Sequence, residues 1–298
     1  MPVIGFLRSS SLRQFDHLIA AFRQGLKEIG FVEGLNVTVD FRSAEDRHDQ
    51  LSRLVADLID RPVDVVVGNV AAVLAAKAAT KTIPIVFTTG GDPIREGLVA
   101  SLSRPGGNVT GVTFFGAVLG VKRLELLREV VPKATIIAML VNQGNPSTEL
   151  ERRNVQAAAQ AVGQQLTILD VDNEREIEEA FATALQRGAG ALLVGPGAFL
   201  NSNRERIVAL AALHRLPTSF AWREAAEAGA LMSYGTSQTD AFRQAGVYAA
   251  RILKGEKPGD LPVLQPAKFE LIINLKTAKT LGIDIPLSLL RSADEVVE

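Results

Sequence analysis

Ile83-Pro84-Ile85-Val86-Phe87 and Leu216-Pro217-Thr218-Ser219-Phe220 have the same length, a proline in second place and a closing phenylalanine. Val65-Val66-Val67-Gly68 precedes the first, and Leu192-Leu193-Val194-Gly195 precedes the second. The offset between the two prolines also carries Phe6 onto Met139, within the apolar run that opens each half. Short apolar runs bounded by glycine and proline are consistent with buried strands. Two sets of them in one order predict a chain built twice on one plan.

Working outward, the first half gives strands at 3–7, 63–67, 83–87 and 109–113. Val37, Val39 and Phe41 alternate with Thr38, Asp40 and Arg42, the pattern of a half-exposed edge strand. Phe15, Leu18, Ile19, Phe22, Leu26 and Ile29 recur at helical spacing, as do Leu51, Leu54, Val55, Leu58 and Ile59. The second half gives strands at 135–141, 166–171, 191–194, 216–220 and 230–234, with helices at 147–162 and 174–185. Alternation of this kind builds a parallel sheet with helices on both faces. The expected class is α/β, with two similar, doubly wound parallel-sheet lobes. Phe242, Ala245, Ala249, Ile252 and Leu253 line a further helix, and 269–274 is a further strand.

At 298 residues and 47% hydrophobic content, the chain can bury two cores. A formal net charge of -1 gives no field that would draw nucleic acid or an anionic membrane. The absence of cysteine excludes disulfides, thiolate metal sites and a thiol nucleophile. No apolar run reaches the ~20 residues of a membrane-spanning helix. A strand begins at Val3, so the chain is expected either to be cytoplasmic or to have lost a leader. His17, His48 and His214 lie in expected helices, away from the carboxyl ends of strands. A Gly-x-Ser-x-Gly turn and a P-loop are both missing. No catalytic residue, metal ligand or cofactor is therefore assigned, and a cleft enzyme ranks last among the readings.

Longer stretches carry a family resemblance: Ala75-Ala76-Lys77-Ala78-Ala79-Thr80-Lys81-Thr82 running into the 83–87 strand, and Gly91-Asp92-Pro93 followed by Gly97-Leu98-Val99-Ala100-Ser101-Leu102. Arg104-Pro105-Gly106-Gly107-Asn108-Val109-Thr110-Gly111, Leu231-Met232-Ser233-Tyr234-Gly235 and Lys268-Phe269-Glu270-Leu271-Ile272-Ile273-Asn274 continue it. Together they resemble the substrate-binding components of ABC importers, type I periplasmic binding proteins, in the branch with tryptophan- and phenylalanine-binding members. The resemblance implies a three-strand hinge. It places residues 1–114 and 237–262 in lobe one, residues 115–236 and 263–298 in lobe two, and a ligand cleft between them. It also implies a periplasmic or other extracytoplasmic protein whose leader has been removed. Its partners would be a small-molecule ligand and an importer permease, with no nucleic acid, and the protein would be a monomer. The alternative is a cytoplasmic ligand-sensing domain, which would usually follow a DNA-binding helix pair that this chain lacks. The chain departs from the family pattern at Phe220-Ala221-Trp222-Arg223-Glu224 and at Gly195-Pro196-Gly197-Ala198-Phe199. Those departures count against an ordinary amino acid, but the supply of serine, asparagine and aromatic residues fits an amino acid, or an aromatic or other small carboxylate.

Ligands of open parallel sheets bind beyond the carboxyl ends of the strands, where strand order reverses. In lobe one that rule selects Ser9, Ser10, Ser11, Asn69, Ala71, Thr88, Thr89, Gly91 and Asp92. The serines and Asn69 either touch ligand or cap helices. Asp92 either meets a ligand ammonium or caps a turn. Arg8 is expected in solvent, and Phe114 and Phe115 are expected to pack at the first crossover. In lobe two the rule selects Asn142, Asn145, Gly195, Phe220, Trp222 and Tyr234. Aromatic rings with polar tips suit an aromatic ligand, and the alternative for Phe220 is a core position, like its counterpart Phe87.

Overall fold

A computed structural model describes residues 1–12, 15–45, 47–114, 119–143, 148–265 and 269–298. The chain forms two compact units, Met1–Phe114 with Gln238–Pro266 and Phe115–Ser237 with Ala267–Glu298. It passes between them three times, and the passages at 115–118 and 266–268 lie outside the described residues.

Unit one is a parallel sheet of β1 (Val3–Arg8), β2 (Thr38–Ser43), β3 (Val65–Asn69), β4 (Ile85–Thr89) and β5 (Val109–Thr113), in the order β2-β1-β3-β4-β5. Helices α1 (Asp16–Glu28), α2 (Leu51–Ile59), α3 (Val70–Ala79) and α10 (Gln238–Leu253) belong to the same unit. Nearly every residue of β1, β3, β4 and β5 is buried, as in a sheet covered on both faces, whereas β2 is the half-buried edge. Helices α1 and α10 meet backbone to backbone: a Cβ on Gly25 would lie 1.8 Å from Arg243 O, and one on Gly246 2.1 Å from Phe22 O.

Unit two repeats the order with β6 (Ile136–Val141), β7 (Gln165–Asp170), β8 (Ala191–Val194), β9 (Thr218–Phe220) and β10 (Met232–Thr236), as β10-β9-β8-β6-β7. Strand β11 (Phe269–Asn274) joins antiparallel to β10, and β12 (Glu295–Val297) lies parallel beyond it. Helices α4 (Gly120–Val130), α5 (Thr148–Ala161), α6 (Glu174–Gln186), α7 (Ala198–Ser202), α8 (Arg204–Leu213), α9 (Arg223–Glu227), α11 (Leu275–Leu281) and α12 (Leu287–Ser292) complete it. The expected α/β class with two parallel-sheet lobes is thus what the chain adopts.

Strands β4 and β9 begin two residues later than the apolar runs suggest. Pro84 and Pro217 have no N–H, and their carbonyls accept from Val66 and Leu192 at 2.8 Å before the ladders start. Leu264, read from the sequence with the second lobe, is bonded to β5. Leu264 N–H donates to Gly111 O at 3.0 Å, and Thr113 N–H donates to Leu264 O at 2.9 Å. No described helix is long and apolar enough to cross a membrane.

Candidate functional site

In unit one, strand order reverses between β1 and β3, so their carboxyl ends open the crevice where such folds bind ligands. Two residues close on each other there. Ser9 N–H donates to Asn69 Oδ1 at 3.1 Å, and Asn69 Nδ2 donates to Ser9 Oγ at 2.6 Å. Asn69 stands at the start of α3 but makes no side-chain cap. The serines do not cap α1 either, because that helix starts at Asp16 behind Phe15. Ser10 is buried, its carbonyl accepts from Ser43 Oγ at 2.9 Å, and its hydroxyl accepts from Arg8 Nη2 at 3.4 Å. Ser11 and Ala71 are partly buried.

Arg8 corrects the reading from sequence. It is 5% exposed, not solvated, and its guanidinium lies 3.9 Å from the centre of the Phe15 ring and 5.5 Å from that of Phe242. Cation–π attraction and stem burial hold it there. Phe242 comes from α10, so the tail of unit one completes the environment of its first strand.

The loop after β4 is tied to itself. Thr89 Oγ1 donates to Glu96 Oε2 at 2.7 Å and accepts from Gly91 N–H at 3.0 Å. Thr113 Oγ1 donates to Gly91 O at 3.1 Å. Asp92 Oδ1 accepts from the N–H groups of Ile94 and Arg95, at 2.9 and 3.3 Å, and so caps a turn. Thr88 is buried at the end of β4. Phe114 packs over Gly90, where an added Cβ would lie 2.8 Å from its ring. Phe115 and Asn145 lie outside the described residues.

In unit two, Asn142 follows β6 and donates to Val171 O at 3.0 Å and Asp172 Oδ1 at 2.6 Å. Its carbonyl accepts from Thr148 Oγ1 at 2.5 Å, which joins the loop to the start of α5. Phe220 is buried in one core cluster with Leu192, Val194 and Ala225. The alternation of β9 turns that side chain into the sheet's covered face, as at Phe87. Trp222 sits at the start of α9 and is only 6% exposed. Next to it, Arg223 meets Glu227 at 2.9 Å, Glu295 at 2.6 Å and Glu270 at 3.6 Å. Tyr234 stacks on Phe269 with ring centres 6.4 Å apart and planes at 19°. Phe269 opens β11 opposite Thr236, at the carboxyl end of β10, and is 40% exposed. The sequence reading places Phe269 on a strand and does not foresee this stack.

The reading also missed an ion pair. Arg123 of α4 donates through Nη2 to Glu151 Oε1 of α5 at 2.5 Å, with the two side chains 0% and 1% exposed. Burial lifts the Glu151 carboxyl to about 7, and the charge and hydrogen bond of Arg123 pull the other way. The carboxylate lies beside the turn after β8, 3.3 Å from where a Cβ on Gly195 would stand. The described loops thus supply hydroxyls, amides and backbone groups in unit one, and rings in unit two.

Comparison with known proteins gives a consistent result. Residues 3–297 match the model of the family described as ABC transporter substrate binding protein. A tyrosine-binding protein of Clostridioides difficile is 26% identical over 261 residues, which cover 87% of this chain and 75% of the relative. The crystal structure of an ABC domain in complex with L-Trp, from Streptococcus pneumoniae, is 28% identical with a TM-score of 0.90, covering 99% of each chain. A conserved domain protein of Vibrio cholerae is 26% identical with a TM-score of 0.91, again over 99% of both chains.

Proposed function

The chain belongs to the ABC transporter substrate binding protein family, and on that premise we propose that it captures an aromatic amino acid, or a close aromatic carboxylate, for an importer. The observation that carries this reading is its whole-length likeness to a protein solved with bound L-Trp. Capture takes place outside the cytoplasm, and the loaded protein, as a monomer, delivers the solute to the permease without chemical change.

The carboxyl-end loops support a division of labour. The backbone and hydroxyls of Ser9, Ser10 and Ser11, with Asn69, Thr88 and the Thr89–Gly91–Asp92 loop, hold the polar end of the solute. Trp222 and the Tyr234–Phe269 stack meet its ring, with Asn142 and Gly195 beside them. A ligand that touches both lobes favours the closed arrangement by its differential contacts, and hinge closure is an established device for this.

The test is native mass spectrometry of the purified protein, then a thermal-shift screen of amino acids and aromatic acids. L-tryptophan or L-tyrosine should raise the melting temperature with concentration, as binding to the native state alone requires. A shift confined to sugars or aliphatic solutes would sink the proposal. Tyr234→Ala should weaken aromatic ligands by about 0.5–1.5 kcal/mol more than aliphatic ones of similar length, read by titration calorimetry. Equal losses would remove Tyr234 from the ring site.

A further inference from the structure

We infer that the buried Arg123–Glu151 pair is a positioning device, which fixes the Gly195 turn at the carboxyl end of β8 in the geometry that receives the solute. The inference rests on the function proposed above. Neither residue needs to touch the ligand.

Three pieces of unit two converge on one carboxylate. Glu151 Oε1 accepts from Arg123 Nη2 at 2.5 Å. The same oxygen is 2.7 Å from where a Cβ on Gly120 would stand, so the first turn of α4 leans on it. The other oxygen is 3.3 Å from a Cβ on Gly195, and that Cβ would also lie 3.2 Å from Leu140 O. Gly195 N–H donates to Leu140 O at 2.9 Å, which ties the turn to the end of β6. Gly195 is not in the left-handed backbone region. The crowding at Gly195 comes from the carboxylate and the carbonyl, which leave little room for a side chain, and not from a left-handed backbone.

Energetics argue that the pair has a task beyond stability. A buried ion pair is often no better than an apolar pair of similar volume, because removing two charges from water offsets their attraction. The strands beneath it, Ile136–Val141 and Ala191–Val194, are wholly apolar, so an apolar pair would suit the core equally well. Charge adds direction: a hydrogen-bonded carboxylate holds its neighbours at set distances, and a leucine does not. The other charged groups of these helices are engaged elsewhere. Lys122 pairs with Glu125 at 3.1 Å, Glu149 pairs with Arg153 at 3.1 Å, and Arg152 meets Asp170.

The test compares the wild type with the double variant Arg123→Met/Glu151→Leu and with Gly195→Ala. Amide hydrogen exchange of residues 191–199, measured without ligand, reads positioning directly. Calorimetry with L-tryptophan and L-tyrosine reads its consequence. The double variant should melt near the wild type, exchange roughly tenfold faster over 191–199 than wild type, and bind about tenfold more weakly. Residues 85–89 of the other sheet should be unaffected. Wild-type affinity together with unchanged exchange would overturn the inference. If the double variant does not fold, Gly195→Ala decides, because it crowds the same carboxylate without removing it, and it should lose about tenfold in affinity. If the wild type binds neither amino acid, the functional reading fails, and the exchange comparison still decides whether the pair positions the turn.

Discussion

Arg123→Met, made alone, should cost about 3–5 kcal/mol of folding stability at pH 8 and distinctly less at pH 5. The variant leaves a buried carboxyl without its partner, and that loss is larger than the net value of the pair. Burial already raises Glu151 from its ordinary 4.5 to about 7 in the folded protein. A carboxyl raised in this way binds its proton more tightly folded than unfolded. The stability from that difference is complete below about 4.5 and is lost as pH rises through about 7. Without the opposing pull of Arg123, the folded value climbs further, so the variant goes on losing stability as the solution becomes alkaline. Urea denaturation at the two pH values measures both deficits. Equal deficits would mean that Glu151 does not titrate in this window. Glu151→Gln, which removes the titrating group, should flatten the slope between them.

Gly246→Val is expected to be comparably severe, for a reason unconnected with charge. A glycine within a helix costs about 1 kcal/mol relative to alanine, and α10 carries one where it crosses α1. The space for a side chain is already taken, since a Cβ at Gly246 would stand 2.1 Å from the carbonyl of Phe22 and 3.0 Å from Leu26 N. The obstacle is backbone, so a change of rotamer cannot relieve it and the helices must separate. The Arg243–Glu28 ion pair at 2.7 Å, which bridges the same crossing, would be strained with it. A loss of about 3 kcal/mol or more is expected, measured as a fall in the denaturation midpoint. An unchanged midpoint would show that α10 can slide on α1 without cost.

The sheets were legible because buried parallel strands have a local signature. Runs such as Val65-Val66-Val67 and Leu192-Leu193-Val194, each closed by glycine, need no knowledge of their neighbours. The proline-led runs were displaced by two residues because hydrophobicity does not register a missing N–H. Helix α4 was not among the elements read, although Leu124, Leu127 and Val130 lie buried along it. The site was less legible, because its decisive contacts span long separations. Arg8 follows its strand like any solvated arginine, and it is buried only because Phe242, far along the chain, arrives behind it. Arg123 stands in Lys122-Arg123-Leu124-Glu125, a string in which nothing separates the buried charge from the exposed ones. Glu151 and Arg152 are adjacent on α5, yet one faces Arg123 and the other Asp170. The choice for Asp92 between ligand and turn cap was open from sequence, and two N–H groups now occupy its Oδ1.

Capture of an aromatic amino acid by closure of the lobes is proposed here and is open to one direct measurement. Small-angle scattering of the purified protein, titrated with L-tryptophan and L-tyrosine and with an aliphatic amino acid as control, tests it most directly. A saturable decrease in the radius of gyration is expected with at least one aromatic amino acid, and none with the control. An unchanged radius at concentrations that saturate binding, or a decrease that does not distinguish aromatic from aliphatic solutes, would contradict it.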